Sequence, residues 1–114
     1  MASDKNSLTI EGRLTQDPEI KRLPKGSTIA KLRIASNRYT LDRGKSSEAE
    51  PVFRKYTTFV AVDAWNELAH SCETLSKASR VRIVGQLRQE SWENAEGENR
   101  QRLLINAQDI VDIS

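Results

Sequence analysis

Apolar and polar residues alternate through most of this chain. In Leu8–Leu14, Leu8, Ile10 and Leu14 share one parity against Thr9, Glu11 and Arg13, and Gly12 interrupts the apolar side. From Thr28 to about Tyr39, Ala30, Leu32 and Ile34 take one side, and Lys31, Arg33, Asn37 and Tyr39 the other. Between Phe53 and Ala64, Val60, Val62 and Ala64 oppose Phe53, Lys55, Thr57 and Phe59. In Arg80–Trp92, Val81, Ile83 and Leu87 oppose Arg80, Arg82, Arg88 and Trp92; in the last segment Leu103, Ile105 and Ala107 oppose Arg100, Arg102 and Asn106. Strand side chains point alternately to two faces, so each segment reads as a strand with a core side and an outward side.

The period changes once. Leu68, Cys72 and Leu75, with Ala69 beside them, line one face of a helix of about three turns between the third and fourth main strands. Asp17-Pro18 starts a turn, a short extended piece runs from Glu19 to Leu23, and Pro24-Lys-Gly26 closes a hairpin. Residues 93–99 form a second hairpin turn. Leu41–Pro51 is polar, with Gly, Ser and Pro, and reads as a mobile loop (41–51) whose job is a ligand-gripping arm, a subunit contact or a spacer. Gly12-Arg-Leu14 resembles Gly85-Gln-Leu87, and a glycine inside a strand marks a bend of the kind found at a barrel corner. Five main strands with one helix between strands 3 and 4 predict an all-β chain with one helix. The architecture is an OB-fold, a five-stranded Greek-key barrel. An SH3-like barrel is the second choice, because it rarely carries such a helix there.

Length narrows this to one domain over residues 1–114. A net charge of +2 decides nothing, but eleven of the eighteen basic residues are Arg, which suits planar phosphate contacts and stacking. One cysteine forms no internal disulfide, no Cys/His set has zinc spacing, and neither a signal-peptide core nor a membrane-length apolar run is present. The expectation is a cytoplasmic protein, with an organellar matrix as the other fitting compartment. Cys72 reads as a small buried hydrophobe and His70 as a surface residue.

The outward parity of Arg80–Trp92 carries three arginines, one acid (Glu90) and a tryptophan. Guanidinium groups beside a flat ring suit a polyanion with unpaired bases. The plain alternative is a solvated strand with Trp92 at a barrel rim. Phe59, outward beside Lys55, has a rim or a subunit contact as its plain alternative.

Four phrases carry a resemblance: Gly12-Arg-Leu-Thr-Gln-Asp-Pro-Glu19; Ile34-Ala-Ser-Asn-Arg38; Thr58-Phe-Val-Ala-Val62 leading to Trp65-Asn-Glu-Leu-Ala69; and Gly85-Gln-Leu-Arg88 with Trp92. In order and spacing, from about Leu8 to Val111, the chain resembles bacterial-type single-stranded DNA-binding proteins. That resemblance implies an OB-fold homotetramer that wraps single-stranded DNA without much sequence preference. Phe59, Trp65 and Trp92 fall where family members place stacking aromatics. A fourth corresponds to the Tyr39/Thr40 neighbourhood, with Tyr39 the candidate. Trp65, at a strand end, either stacks or packs under the helix. Lys31, Arg33, Lys55, Arg82, Arg88, Arg100 and Arg102 are the expected phosphate contacts. Family members usually continue into a flexible tail with an acidic tip that recruits other proteins. Here the sequence stops at Ser114, as a truncated domain or a tail-less specialist, so tail-mediated partners are not expected. No cofactor and no catalysis are expected, since Asp63 is the only acid flanked by binding elements and acid/base chemistry needs a constellation. The rival reading is a protein-interaction OB domain, such as a primosomal accessory subunit.

Overall fold

The computed structural model describes all of residues 1–114. Six strands form in chain order: β1 (Leu8–Leu14), β2 (Glu19–Arg22), β3 (Thr28–Leu41), β4 (Phe53–Trp65), β5 (Arg80–Glu93) and β6 (Asn99–Asp112). Helix α1 (Glu67–Ser71), extended by a 3-10 turn at Cys72–Thr74, lies between β4 and β5. β1 pairs with β5, β5 with β6, β6 with β4 in parallel at Val62↔Ile105, and β4 with β3. β3 returns to β1 through Arg13↔Ala35 and Leu14↔Ile34. The circuit therefore closes over five strands, with β2 a short addition on β3. This is the expected OB-fold barrel.

The core is aliphatic. Leu14, Leu32, Ile34, Val62, Val81, Ile83 and Ile105 are buried together, and Ala69, Cys72 and Leu75 cap one end from the helical segment. The helical face is as the sequence predicts, but the helix is shorter than three turns. Asp63, Ala64 and Trp65 stay in β4, paired with Lys31, Ala30 and Ile29. Asn66 turns the chain with φ 55° and ψ −118°, a positive-φ corner outside the left-handed helical region. Its N–H donates to the Thr28 carbonyl at 2.8 Å, and its side-chain oxygen accepts from the Thr28 N–H at 3.3 Å.

Closure brings backbones very close at the two similar glycines. A Cβ on Gly12 would sit 2.6 Å from the Ala35 carbonyl oxygen, and one on Gly85 would overlap the Asn106 carbonyl. Beside Gly85 the β6 strand bulges. Val84 pairs with Asp109 and Gly85 with Ala107, so Gln108 is left over and the inward parity shifts from Ala107 to Ile110.

Two hairpins outrun the barrel. The radius of gyration is 17.6 Å, against about 13 Å for a compact chain of this size, and the long extent is 60 Å. β3 and β4 stay paired out to Leu41↔Phe53, and β5 and β6 out to Glu93↔Asn99. Along these arms the core-side parity continues with no core to cover it. Leu87 and Leu103, expected to be core-facing, are therefore 45% and 60% exposed, whereas Leu104, on the opposite parity, is fully buried. A two-residue period tells which side a residue takes, not what lies over that side.

The loop between β3 and β4 is tied back by the Asp42 N–H to the Val52 carbonyl (2.7 Å) and by Arg54 Nε donating to Asp42 Oδ2 (2.8 Å). The Arg54 hydrogen bond, its largest cause, holds the Asp42 carboxyl below the usual aspartate value. The pair is therefore intact at neutral pH and is lost only in acid, as pH falls through that lowered value.

Adding a methyl group at Gly12 should cost about 1–3 kcal/mol, because only backbone movement relieves the overlap. Gly44→Ala meets nothing nearer than Asp42 Oδ1 at 3.5 Å and should stay within about 0.5 kcal/mol. Urea titration of Gly12→Ala and Gly44→Ala measures both; equal midpoints would show that closure at Gly12 is not tight.

Candidate nucleic-acid interface

The outward face of β3 and β4 is built from directly opposed pairs: Ile29↔Trp65, Lys31↔Asp63, Arg33↔Ala61, Ala35↔Phe59, Asn37↔Thr57 and Tyr39↔Lys55. Cationic and aromatic side chains thus follow one another along a single surface. The Arg33 guanidinium lies 5.6 Å from the Phe59 ring centre. Lys31, Arg33, Asp63 and Arg102 line one hollow with Gln16 and Glu19, so β6 meets β3 and β4 there. Arg88 of β5 reaches the same place, with Nη2 3.5 Å from Asp63 Oδ2. Asp63 is buried at the floor of this hollow, and the side-chain oxygen of its β6 neighbour Asn106 is buried without a partner.

Lys31, Arg33, Arg88 and Arg102 are therefore neighbours around Asp63, and Phe59 adjoins them through Arg33. Tyr39 and Lys55 lie four residues beyond Phe59 along the β3–β4 arm, roughly 13 Å away at strand rise. Trp92 and Arg100 sit opposite each other near the tip of the β5–β6 arm. Trp65 shares the Phe59 side but is half-buried, next to buried Ile29. Arg82 stands apart. It pairs with Glu11 of β1 at 2.7 Å, which Arg80 also approaches at 3.8 Å, and lies roughly 20 Å along β5 from Arg88.

The cations fall into two groups. Arg82, Arg88, Arg100 and Arg102 pair with Glu11, Asp63, Glu98 and Glu90 respectively. Lys31, Arg33 and Lys55 have no carboxylate within ion-pair distance. The exposed pairs of Arg82, Arg100 and Arg102 contribute about 0–1 kcal/mol each, so an incoming anion can displace their acids, whereas buried Asp63 holds Arg88; only the second group has no acid partner at all.

None of the six aromatic rings is in the core. Tyr39, Phe53, Tyr56, Phe59 and Trp92 are 45–63% exposed, and Trp65 is half-buried. Two of these, Phe53 and Tyr56, were not among the expected stacking residues, although Phe53 was placed on the outward side. Phe53 has the parity of Phe59, a signal that was present in the sequence. Tyr56 has the parity of Val60 and Val62, which would assign it to the core side; in the structure Arg38 lies 5.1 Å from its ring centre, in solvent. No group of three His, Cys, Asp or Glu residues could hold a metal. Burial raises the Cys72 thiol above its ordinary pKa, and Sγ donates to the Leu68 carbonyl.

The single-strand binding protein family model matches residues 5–112. The chain belongs to this family. Among its relatives, the single-stranded DNA-binding proteins of Paenarthrobacter aurescens and Mycolicibacterium smegmatis are each 34% identical to this member of the family. The matches cover 91% and 96% of this chain but only 59% and 64% of those proteins, so the chain spans about three fifths of their length. A Plasmodium falciparum SSB solved in complex with ssDNA superimposes with a TM-score of 0.83 at 20% identity, over 100% of this chain and 99% of that one. That likeness is one of fold.

The exposure difference between the tryptophans has a direct readout. Acrylamide should quench Trp92, observed alone in Trp65→Phe, more steeply than Trp65, observed alone in Trp92→Phe. Equal Stern–Volmer slopes would mean that Trp65 is as open as Trp92.

Proposed function

We propose that this chain binds single-stranded DNA without strong sequence preference, covering it during replication, recombination and repair in the cytoplasm, and that it assembles as a homotetramer. The observation that carries the reading is the exclusion of every aromatic ring from the core, with rings and unpaired cations alternating along one face. A soluble domain ordinarily gains stability by burying Phe, Tyr and Trp, which dominate core energetics. Leaving five of six exposed forgoes that gain. Exposed rings flanked by guanidinium groups are instead platforms for unpaired bases.

In this reading Lys31, Arg33 and Lys55 meet phosphates first, Arg82, Arg100 and Arg102 do so after releasing their exposed acids, and Arg88 does so while still holding buried Asp63. Tyr39, Phe59 and Trp92 stack on bases, with Trp65 at the end of the run. Each ring contributes roughly 1–3 kcal/mol regardless of the base it meets, and each neutralised phosphate contributes a slope of about −0.7 in log K against log[salt]. Duplex DNA binds more weakly, because its bases are already stacked. No reaction accompanies binding. The exposed Leu87 and Leu103 on the back of the β5–β6 arm support a subunit contact.

Titrating poly-dT should quench the intrinsic fluorescence of Trp65 and Trp92. Phe59→Ala should weaken binding roughly five- to 150-fold at every salt concentration. Arg33→Ala should flatten the salt slope by about 0.7, whereas Arg82→Ala, whose charge is already matched by Glu11, should flatten it less. Absence of quenching would replace this reading with the protein-interaction one. Light scattering should report four chain masses, and labelled single strand incubated with Mg²⁺ should remain uncut.

A further inference from the structure

On the β3–β4 arm, the side that continues the barrel interior is neither apolar nor neutral. Its rungs are Ser36↔Thr58, Arg38↔Tyr56 and Thr40↔Arg54. Tyr56 is 46% exposed, the Arg38 guanidinium lies 5.1 Å over its ring, and Arg38 has no carboxylate partner. One rung further out, on the opposite side, Tyr39 faces Lys55. The arm therefore carries a cation–aromatic pair on each side, back to back across one thickness of ribbon.

Its edges are open as well. β2 covers β3 only from Thr28 to Lys31, β1 covers it only at Ile34 and Ala35, and β6 covers β4 only at Val62 and Asp63. From Ser36 outward nothing fences one side off from the other.

The second arm provides the contrast. Its corresponding side carries Leu87 and Leu103 with a neutral Gln89–Gln101 amide pair at 2.6 Å. Residues 86–104 hold three basic and four acidic residues, whereas residues 36–58 hold five basic and three acidic. A polyanion suits the back of the first arm and not the back of the second.

We infer that the back of the β3–β4 arm is a second contact surface for single-stranded nucleic acid, so that one strand clasps the arm from both sides. A base stacks on the Tyr56–Arg38 pair, whose guanidinium plane is itself a stacking surface, and Arg38 adds charge for the adjoining phosphate. This rests on the binding reading above and adds to it a longer occluded length.

The test uses oligo-dT of about 8 nucleotides, within the span of one OB-fold site, and of about 40 nucleotides, long enough to pass round the arm. Tyr56→Ala should bind the short oligomer as the parent does, bind the long one roughly tenfold more weakly, and occlude fewer nucleotides per chain. Tyr56→Phe, which keeps the ring, should restore the parent values. If Tyr56→Ala matches the parent at both lengths with unchanged occluded length, or loses both lengths equally, the clasp is wrong. Phe59→Ala separates the two claims. It should weaken both lengths, and if it weakens neither, or the parent binds neither oligomer, the binding reading itself fails.

Discussion

The closing contact between β1 and β3 is the constraint on which the rest depends. Only two residue pairs make it, Arg13↔Ala35 and Leu14↔Ile34, and the absent Cβ of Gly12 lets the Ala35 carbonyl come close enough for them to form. Closure turns a sheet with two open sides into a narrow barrel whose interior has room for Val, Leu, Ile and Ala side chains and the helical plug. The side of the sheet that does not enter the barrel is then largely free of packing duties, with Leu104 and Asp63 among its buried exceptions. Cationic and aromatic side chains occupy it without disturbing the core.

That division also explains the electrostatics. The barrel can be stable with its charges outside because few of them are asked to hold it together. Glu11 engages Arg82 and Arg80 across the β1–β5 pairing, with exposed partners that stabilise little. Asp63 is the exception. It is buried with one partner, Arg88 at 3.5 Å, on the floor of the cationic hollow. A desolvated carboxylate there favours positive charge at the rim, so Lys31, Arg33 and Arg102 sit in a field that already suits them. The same carboxylate weakens the pull of the hollow on an anion. Cations without an acid partner continue further out, along the arm, as Lys55 and Arg38.

Much of the fold was legible because barrel strands obey a period of two and the helix a period of three to four. The strand segments, the helical face of Leu68, Cys72 and Leu75, and the paired roles of Gly12 and Gly85 all follow from that. Helix length did not, because a positive-φ turn at Asn66 keeps the chain on β4 through Trp65 and delays the helix to Glu67. Within the proposed site, the outward direction of Lys31, Arg33, Tyr39, Lys55 and Phe59 was readable from parity alone. The exposure of Leu87 and Leu103, and the prominence of Tyr56, were not. They depend on how far each hairpin outruns the barrel, which is a matter of pairing across strands. The acid partners of Arg82, Arg88 and Arg102 were hidden for the same reason, since each lies on another strand.

The arms raise a question of stability that bears on their use. A two-stranded ribbon without a covered face is marginal in water. These two persist because each is the outward run of strands anchored in the barrel, and because side chains stitch their rungs. Thr57 donates to Asn37 Oδ1 at 2.7 Å, Arg54 holds Asp42, and Gln89 bonds Gln101. Such contacts fix local geometry without burying much apolar area, so the arms belong to the least protected part of the molecule. Under the proposed function a strand laid along them would supply the missing layer, with bases over the rings and phosphates against the cations. That arrangement suits the proposed binding without strong sequence preference. A rigid, fully packed groove would select one backbone path, whereas arms held by a few exposed contacts adjust to whichever bases arrive.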